Sequence, residues 1–272
     1  MPTVRNGDCS IWYDTMGTGP PVLMVYGIGG NSRNWWEEFP PLLAQRYQLV
    51  FVDNRGTGFS DHPEEPWTIS HMTSDVDAVV EELGLQSFHL LGCSLGSIIA
   101  RHYVREFGGS RLRSLSLVCP PNGITATEED IQAALFWDRT KGLIENARKS
   151  WPIVHPESWV AANEPLLLRK FEESMANPTP PRTFQFQLEA VREAPDPNPS
   201  LNDYDWPVLI LHGDADRLVP PANATSLHEV VPRAALEWMP GHGHSLWQHD
   251  PAGTAAHVLG FLDRAERARK PD

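Results

Sequence analysis

The chain has 272 residues, 41% hydrophobic and 21% charged, a composition that suits an ordinary soluble domain with a large buried core. A formal charge of −13 works against binding phosphate backbones or anionic lipid surfaces, so neither nucleic acid nor a membrane is expected as partner. Three cysteines, Cys9, Cys93 and Cys119, have no CxxC spacing, which argues against a zinc site or a disulfide framework, and Cys93 and Cys119 close apolar runs, which predicts buried thiols there.

Taken in chain order, Ser10–Gly17 predicts an antiparallel hairpin member. Apolar runs bounded by turn residues then predict buried strands at Pro21–Gly27, Gln48–Asp53, Phe88–Cys93, Leu112–Pro120 and Pro207–Gly213, with one more at Ala234–Gly241. Amphipathic helices are predicted at Ile69–Gly84, Leu95–Phe107 and Pro251–Arg269. Strands alternating with helices predict an α/β fold with a mostly parallel sheet covered on both faces. Residues 121–205 break the rhythm. They offer helices at Thr127–Ser150, Pro156–Asn177 and Pro181–Ala194, punctuated by prolines, and no strong strand. The expected division is a core of residues 1–120 and 206–272 with a helical cap, 121–205, over the strand ends where ligands of such sheets bind. No signal segment or membrane-spanning run is visible, so the expected location is the cytoplasm.

The stretch Leu90–Ala100 reads LLGCSLGSIIA. Its G-x-S-x-G arises by chance in about one chain in ten of this length. Here it follows a predicted strand and opens a predicted helix, where a sharp turn exposes the Ser94 hydroxyl and the helix directs the Leu95 N–H at the same point. Serine needs a base and the base needs an orienting carboxylate. Among eleven histidines, His244 and its rival His242 lie in the glycine-rich loop after the last strand. Asp216 and Asp214 lie just after the Pro207–Gly213 strand. Serine, acid and base thus fall on loops that leave three different strands.

These motifs, VLMVYGIGG, DNRGTGFSD, GCSLGS, HGDADRLVP and PGHGHSLW, resemble the α/β-hydrolase superfamily over residues 10–263. The resemblance implies Ser94 as nucleophile, Asp216 as acid, His244 as base, and the N–H groups of Leu95 and Ile28 as oxyanion donors, with no cofactor and no metal. It treats Asp53 and Arg55 as structural ties. The chain departs from the family in one place, with Tyr26 where a histidine usually precedes the glycine. Two readings stand open: a packing residue, or a hydroxyl that faces the substrate. Ten tryptophans, among them Trp35 beside the oxyanion loop, Trp137 in the cap and Trp247 after His244, suit an apolar or aromatic substrate. Arg33 and Arg139 are the cations placed to reach an acidic group, and no Arg or Lys cluster is apparent.

The expected activity is hydrolysis of a small carboxylic ester or lactone through an acyl-enzyme, most like the small esterase and enol-lactonase group. The rival enzyme is a carbon–carbon bond hydrolase. Its relatives usually carry Gly-Pro in a longer loop after the oxyanion strand, and GIGGNSRNW has no proline. A ligand-binding or rearranging protein of the same fold is the rival of a different class. The expected partner is a small-molecule substrate, with a homodimer left open.

Overall fold

The computed structural model describes residues 2–138 and 140–268. Eight strands form one sheet: β1 (Thr3–Asn6), β2 (Cys9–Met16), β3 (Pro21–Val25), β4 (Gln48–Val52), β5 (Phe88–Cys93), β6 (Leu112–Val118), β7 (Val208–Gly213) and β8 (Ala235–Met239). Their order is β1-β2-β4-β3-β5-β6-β7-β8. The pairs β1–β2 and β2–β4 are antiparallel, and β4 through β8 are joined in parallel. This is the α/β-hydrolase fold expected. The terminal strand β1 was not legible, because four partly exposed residues carry no apolar run.

Ten helices are described: α1 (Pro40–Ala44), α2 (Ile69–Glu82), α3 (Leu95–Phe107), α4 (Glu128–Leu135), α5 (Leu143–Val154), α6 (Glu157–Ser174), α7 (Pro181–Arg192), α8 (Ala222–Val230), α9 (Leu246–His249) and α10 (Pro251–Ala268). The central strands β3, β4, β5 and β7 carry apolar residues on both faces because both faces are covered. Leu23, Val25, Val50, Val52, Leu90 and Ile210 point into one core with α2, α3 and α8. Their neighbours Val22, Met24, Leu49, Phe51, Leu91 and Leu209 point into the other, with α1 and α10. This is the period-two alternation of a strand, read on two buried surfaces.

Between β6 and β7 the described residues hold helices and no strand. The single helix expected over Thr127–Ser150 is two, α4 and α5. The Asn146 side chain holds the break, accepting the Asp138 N–H at 2.8 Å and donating to the Asp138 carbonyl at 3.0 Å, with Gly142 as the N-cap of α5. Among the described residues no helix is long and apolar enough to cross a membrane. Cys9, Cys93 and Cys119 are free and buried.

Three histidines, His102 and His155 buried and His249 half-buried, set the expected acid response. His155 and His249 share a 2.6 Å ring contact, and His102 is 1% exposed. Burial pushes His102 down to about 4, and burial with the neighbouring histidines pushes His249 down to about 3 and His155 well below its ordinary range. These folded values lie below the unfolded value of about 6.5. The stability they contribute is full above that pH and falls as pH drops toward the folded values. The slope is up to about 1.4 kcal/mol per pH unit for each histidine. Urea unfolding at pH 7.5 and pH 5 checks this: a clear loss of stability is expected at pH 5, and an equal midpoint would refute it.

Candidate active site

The strand order reverses between β3 and β5, so the loops that leave these neighbours diverge and open a crevice. Ser94 sits at the turn from β5 into α3 with φ 51° and ψ −122°, a strained conformation for a residue with a side chain. The flanking glycines are sterically required. A Cβ on Gly92 would fall 2.2 Å from the Gly96 carbonyl oxygen, and one on Gly96 would fall 2.1 Å from the Val25 carbonyl oxygen. Leu95 is the first residue of α3, so its N–H has no acceptor within the helix. Across the crevice, Gly27 approaches so closely that a Cβ there would lie 3.0 Å from the Ser94 Cβ. The Ile28 loop that follows is braced from α7, where Gln187 Oε1 accepts the Gly29 N–H at 2.8 Å.

Asp216 and His244 come together. His244 Nδ1 donates to Asp216 Oδ2 at 2.7 Å, which leaves Nε2 as the acceptor nitrogen. Asp216 is fixed from two further sides: Val219 N–H donates to Oδ1 at 2.8 Å, and His212 Nε2 lies 3.3 Å from Oδ2. Burial pulls this carboxyl upward. The positive charge His244 carries when protonated and the hydrogen bonds from His212 and His244 outweigh it and hold the carboxyl well below the usual carboxylate range. The alternatives play other parts. Asp214 is exposed and accepts the Gly241 N–H at 2.6 Å, and His242 Nδ1 lies 2.9 Å from the Pro240 carbonyl oxygen two residues before it.

The end of β6 links this pair to the serine. Ser94 N–H donates to the Val118 carbonyl at 2.9 Å, and the next residue's thiol, Cys119 Sγ, donates to the His244 carbonyl at 3.3 Å. Ser94 and His244 are each 7% exposed. Among the described residues neither Ser94 Oγ nor His244 Nε2 has a hydrogen-bond partner, and neither is sealed from solvent. Cys119, His212 and Asp216 bring ligand-type atoms within 4.8 Å of one another. Burial pushes the Cys119 thiol far up, and its hydrogen bond goes to the histidine loop.

A cavity of about 690 Å³ opens at Ser94, lined by Ile28, Leu95 and Ile98 on the core side and by Ile131, Leu135, Leu188 and Val191 from the helical segment. The tryptophans expected against substrate lie elsewhere. Trp35 and Trp247 are 1% and 2% exposed and pack on each other at 4.9 Å, and the Trp247 indole N–H is spent on the Asn34 carbonyl. Trp137 is 43% exposed, near Phe171 and outside the cavity lining. Large indoles fill the core beside the loops because their area stabilises there. Tyr26 joins them, edge-on to Trp35 at 4.9 Å and Trp247 at 5.5 Å, and also lies outside the cavity lining. Its hydroxyl makes no hydrogen bond among the described residues.

Asp53 and Arg55 are structural ties as expected. Asp53 accepts the Ser32 and Phe59 N–H groups, and Arg55 forms a bidentate pair with Asp75 at 2.6 and 2.7 Å. Arg33 lies over the Phe59 ring, away from the Ser94 cavity, and Arg139 is outside the described residues. Two cations do line the cavity: Arg192, which is exposed, and Arg101, which is buried. Arg101 and Gln187 carry no motif, and only the fold brings them to the site.

A serine on a sharp turn, a histidine poised by a buried aspartate and a free helix N–H form a set able to carry out acyl transfer. A model of the alpha/beta hydrolase fold family matches residues 20–247. A protein named "Putative carbamate hydrolase RutD" from Azorhizobium caulinodans is 27% identical over 98% of this chain and 100% of its own. An esterase structure from Rhodococcus sp. superposes with a TM-score of 0.82 at 24% identity, over 96% of this chain and 97% of that one. A meta-cleavage product hydrolase from Pseudomonas fluorescens superposes with a TM-score of 0.81 at 20% identity, over 97% and 98%. With the family model spanning most of its length, the chain belongs to the alpha/beta hydrolase fold family.

Proposed function

We propose that the protein is a serine hydrolase of small carboxylic esters or lactones that works through an acyl-enzyme. The observation that carries this reading is the 2.7 Å bond between His244 and Asp216, held beside the Ser94 turn by consecutive residues of one strand end. His244 Nε2 takes the Ser94 proton as Oγ attacks the acyl carbon. The N–H groups of Leu95 and Ile28 hold the oxyanion. The imidazolium then gives its proton to the leaving oxygen, and His244 draws a proton from water to release the acid. Asp216 keeps Nδ1 protonated throughout. Residues 121–205 act as the cap, and the largely apolar lining of the cavity suits an apolar acyl group. A panel of p-nitrophenyl esters, lactones and carbamates tests the reading. Turnover of esters or lactones that ends in Ser94→Ala supports it, and no turnover of any of them would contradict it.

Two side chains refine the site. Tyr26 acts by packing. Tyr26→Phe removes a hydroxyl with no protein partner, so kcat/KM is expected to stay within about threefold; a loss of about 2–4 kcal/mol in transition-state stabilisation would instead mark an oxyanion donor. Gln187 ties the oxyanion loop to the cap. Gln187→Leu leaves the Gly29 N–H unpaired at a cost of about 1–3 kcal/mol, read in thermal midpoint or kcat/KM. Equal behaviour of Gln187→Leu and wild type would show that the tie contributes nothing.

A further inference from the structure

The cavity at Ser94 runs along α3 to a second group of polar side chains. Arg101 and His102 both line it, seven and eight residues beyond the serine. Arg101 is 3% exposed, yet no carboxylate pairs with it among the described residues. Neutral acceptors hold it instead. Nε donates to the Ser97 carbonyl at 3.2 Å, Nη1 to Asn122 Oδ1 at 3.2 Å and Asn198 Oδ1 at 2.7 Å, and Nη2 to the Pro121 carbonyl at 2.5 Å. A guanidinium has five N–H donors, so one on Nη2 is unspent. His102 is 1% exposed, and neither of its ring nitrogens has a partner.

Both observations run against the usual economy of a protein interior, where buried charges are paired and buried polar atoms are hydrogen-bonded. Burial lowers Arg101 only to about 10, so it stays cationic at neutral pH. Burial lowers His102 to about 4, so it is neutral there and offers one N–H. The other charged groups on this stretch of the lining are exposed: Arg192, and Asp196, whose Oδ1 is taken by the Asn198 N–H at 3.0 Å. Arg101 and His102 are consecutive in α3 and both line the cavity, so together they offer one charged and one neutral donor, a set suited to the two oxygens of a carboxylate.

We propose that the far end of the Ser94 cavity is a carboxylate subsite built on Arg101 and His102, and that the substrates are esters or lactones whose acyl part ends in an acid group. This rests on the hydrolase reading of Ser94. Seven residues of helix set the two ends about 10 Å apart. Leu95, Ile98 and Val191 line the same cavity, so the part of the acyl group between carbonyl and carboxylate is apolar. On a chain of net charge −13, a lone buried cation in the cavity is what makes an anionic substrate acceptable there.

The test compares matched substrates on the wild-type protein. Mono-p-nitrophenyl esters of linear dicarboxylic acids of increasing length are set against the same esters with the free acid capped as a methyl ester. The acid member is expected to be favoured about tenfold or more in kcat/KM at the lengths that span the cavity, mostly through KM. In Arg101→Gln the ratio of acid to capped ester is expected to collapse toward one. The wild-type comparison stands whether or not that variant folds. Capped esters hydrolysed as well as the acids at every length would overturn the subsite and leave the hydrolase reading intact. No turnover in either series would overturn both.

Discussion

Ser94→Ala is expected to lower kcat by roughly 10⁶ with the fold intact. The hydroxyl accepts and donates no hydrogen bond that the fold needs, since the turn is held by the Ser94 backbone through Val118 and Ser97. Alanine keeps the Cβ that packs against Gly27. The loss is therefore chemical: without Oγ no acyl-enzyme forms, and only binding and the oxyanion donors remain to favour attack by water. Steady-state turnover of the best ester, together with far-ultraviolet circular dichroism, checks both halves. Retained turnover would remove Ser94 from the mechanism.

Asp216→Asn is expected to cost roughly 10⁴ in kcat. Asparagine is nearly isosteric, and its Oδ1 still accepts the Val219 N–H that Asp216 accepts now. Its amide then presents N–H to His244, so Nδ1 must become an acceptor and the proton moves to Nε2. A histidine protonated at Nε2 cannot take the Ser94 proton. The buried site also loses the negative charge that steadies the imidazolium, and Asp216 is now held charged by His244 and His212. A loss of less than about tenfold, read in kcat with KM near wild type, would mean that Asp216 does not orient the base.

The parallel core was legible because the strands from β3 to β7 are rich in apolar residues, which two covered faces demand, and the few polar residues among them, such as His89, Ser114 and Ser116, are buried too. Helix α3 could be read to the residue from the glycines at either end. The loops of Ser94, Asp216 and His244 were legible because strand ends and glycine-rich turns mark them. Spacing alone does not separate Asp216 from Asp214 or His244 from His242, since both members of each pair sit in the same short loop; the family resemblance favours Asp216 and His244, and these are the two that lie in hydrogen-bond contact at 2.7 Å. Nearness in sequence did not place the tryptophans: Trp35 and Trp247 fill the core, where a large indole is stabilised by its buried area, while Trp137 is exposed, and none of the three lines the Ser94 cavity. Arg101 and Gln187 were invisible because each lies in an amphipathic helix, where one polar residue looks like any other until the sheet and the cap bring it against the cavity.

The central claim is an activated nucleophile at Ser94, and a fluorophosphonate reads it directly. Intact-mass and peptide analysis after incubation is expected to show one phosphonyl group per chain, attached at Ser94, with the rate strongly reduced in Asp216→Asn. No labelling of the folded protein, or labelling that persists in Ser94→Ala, would contradict it.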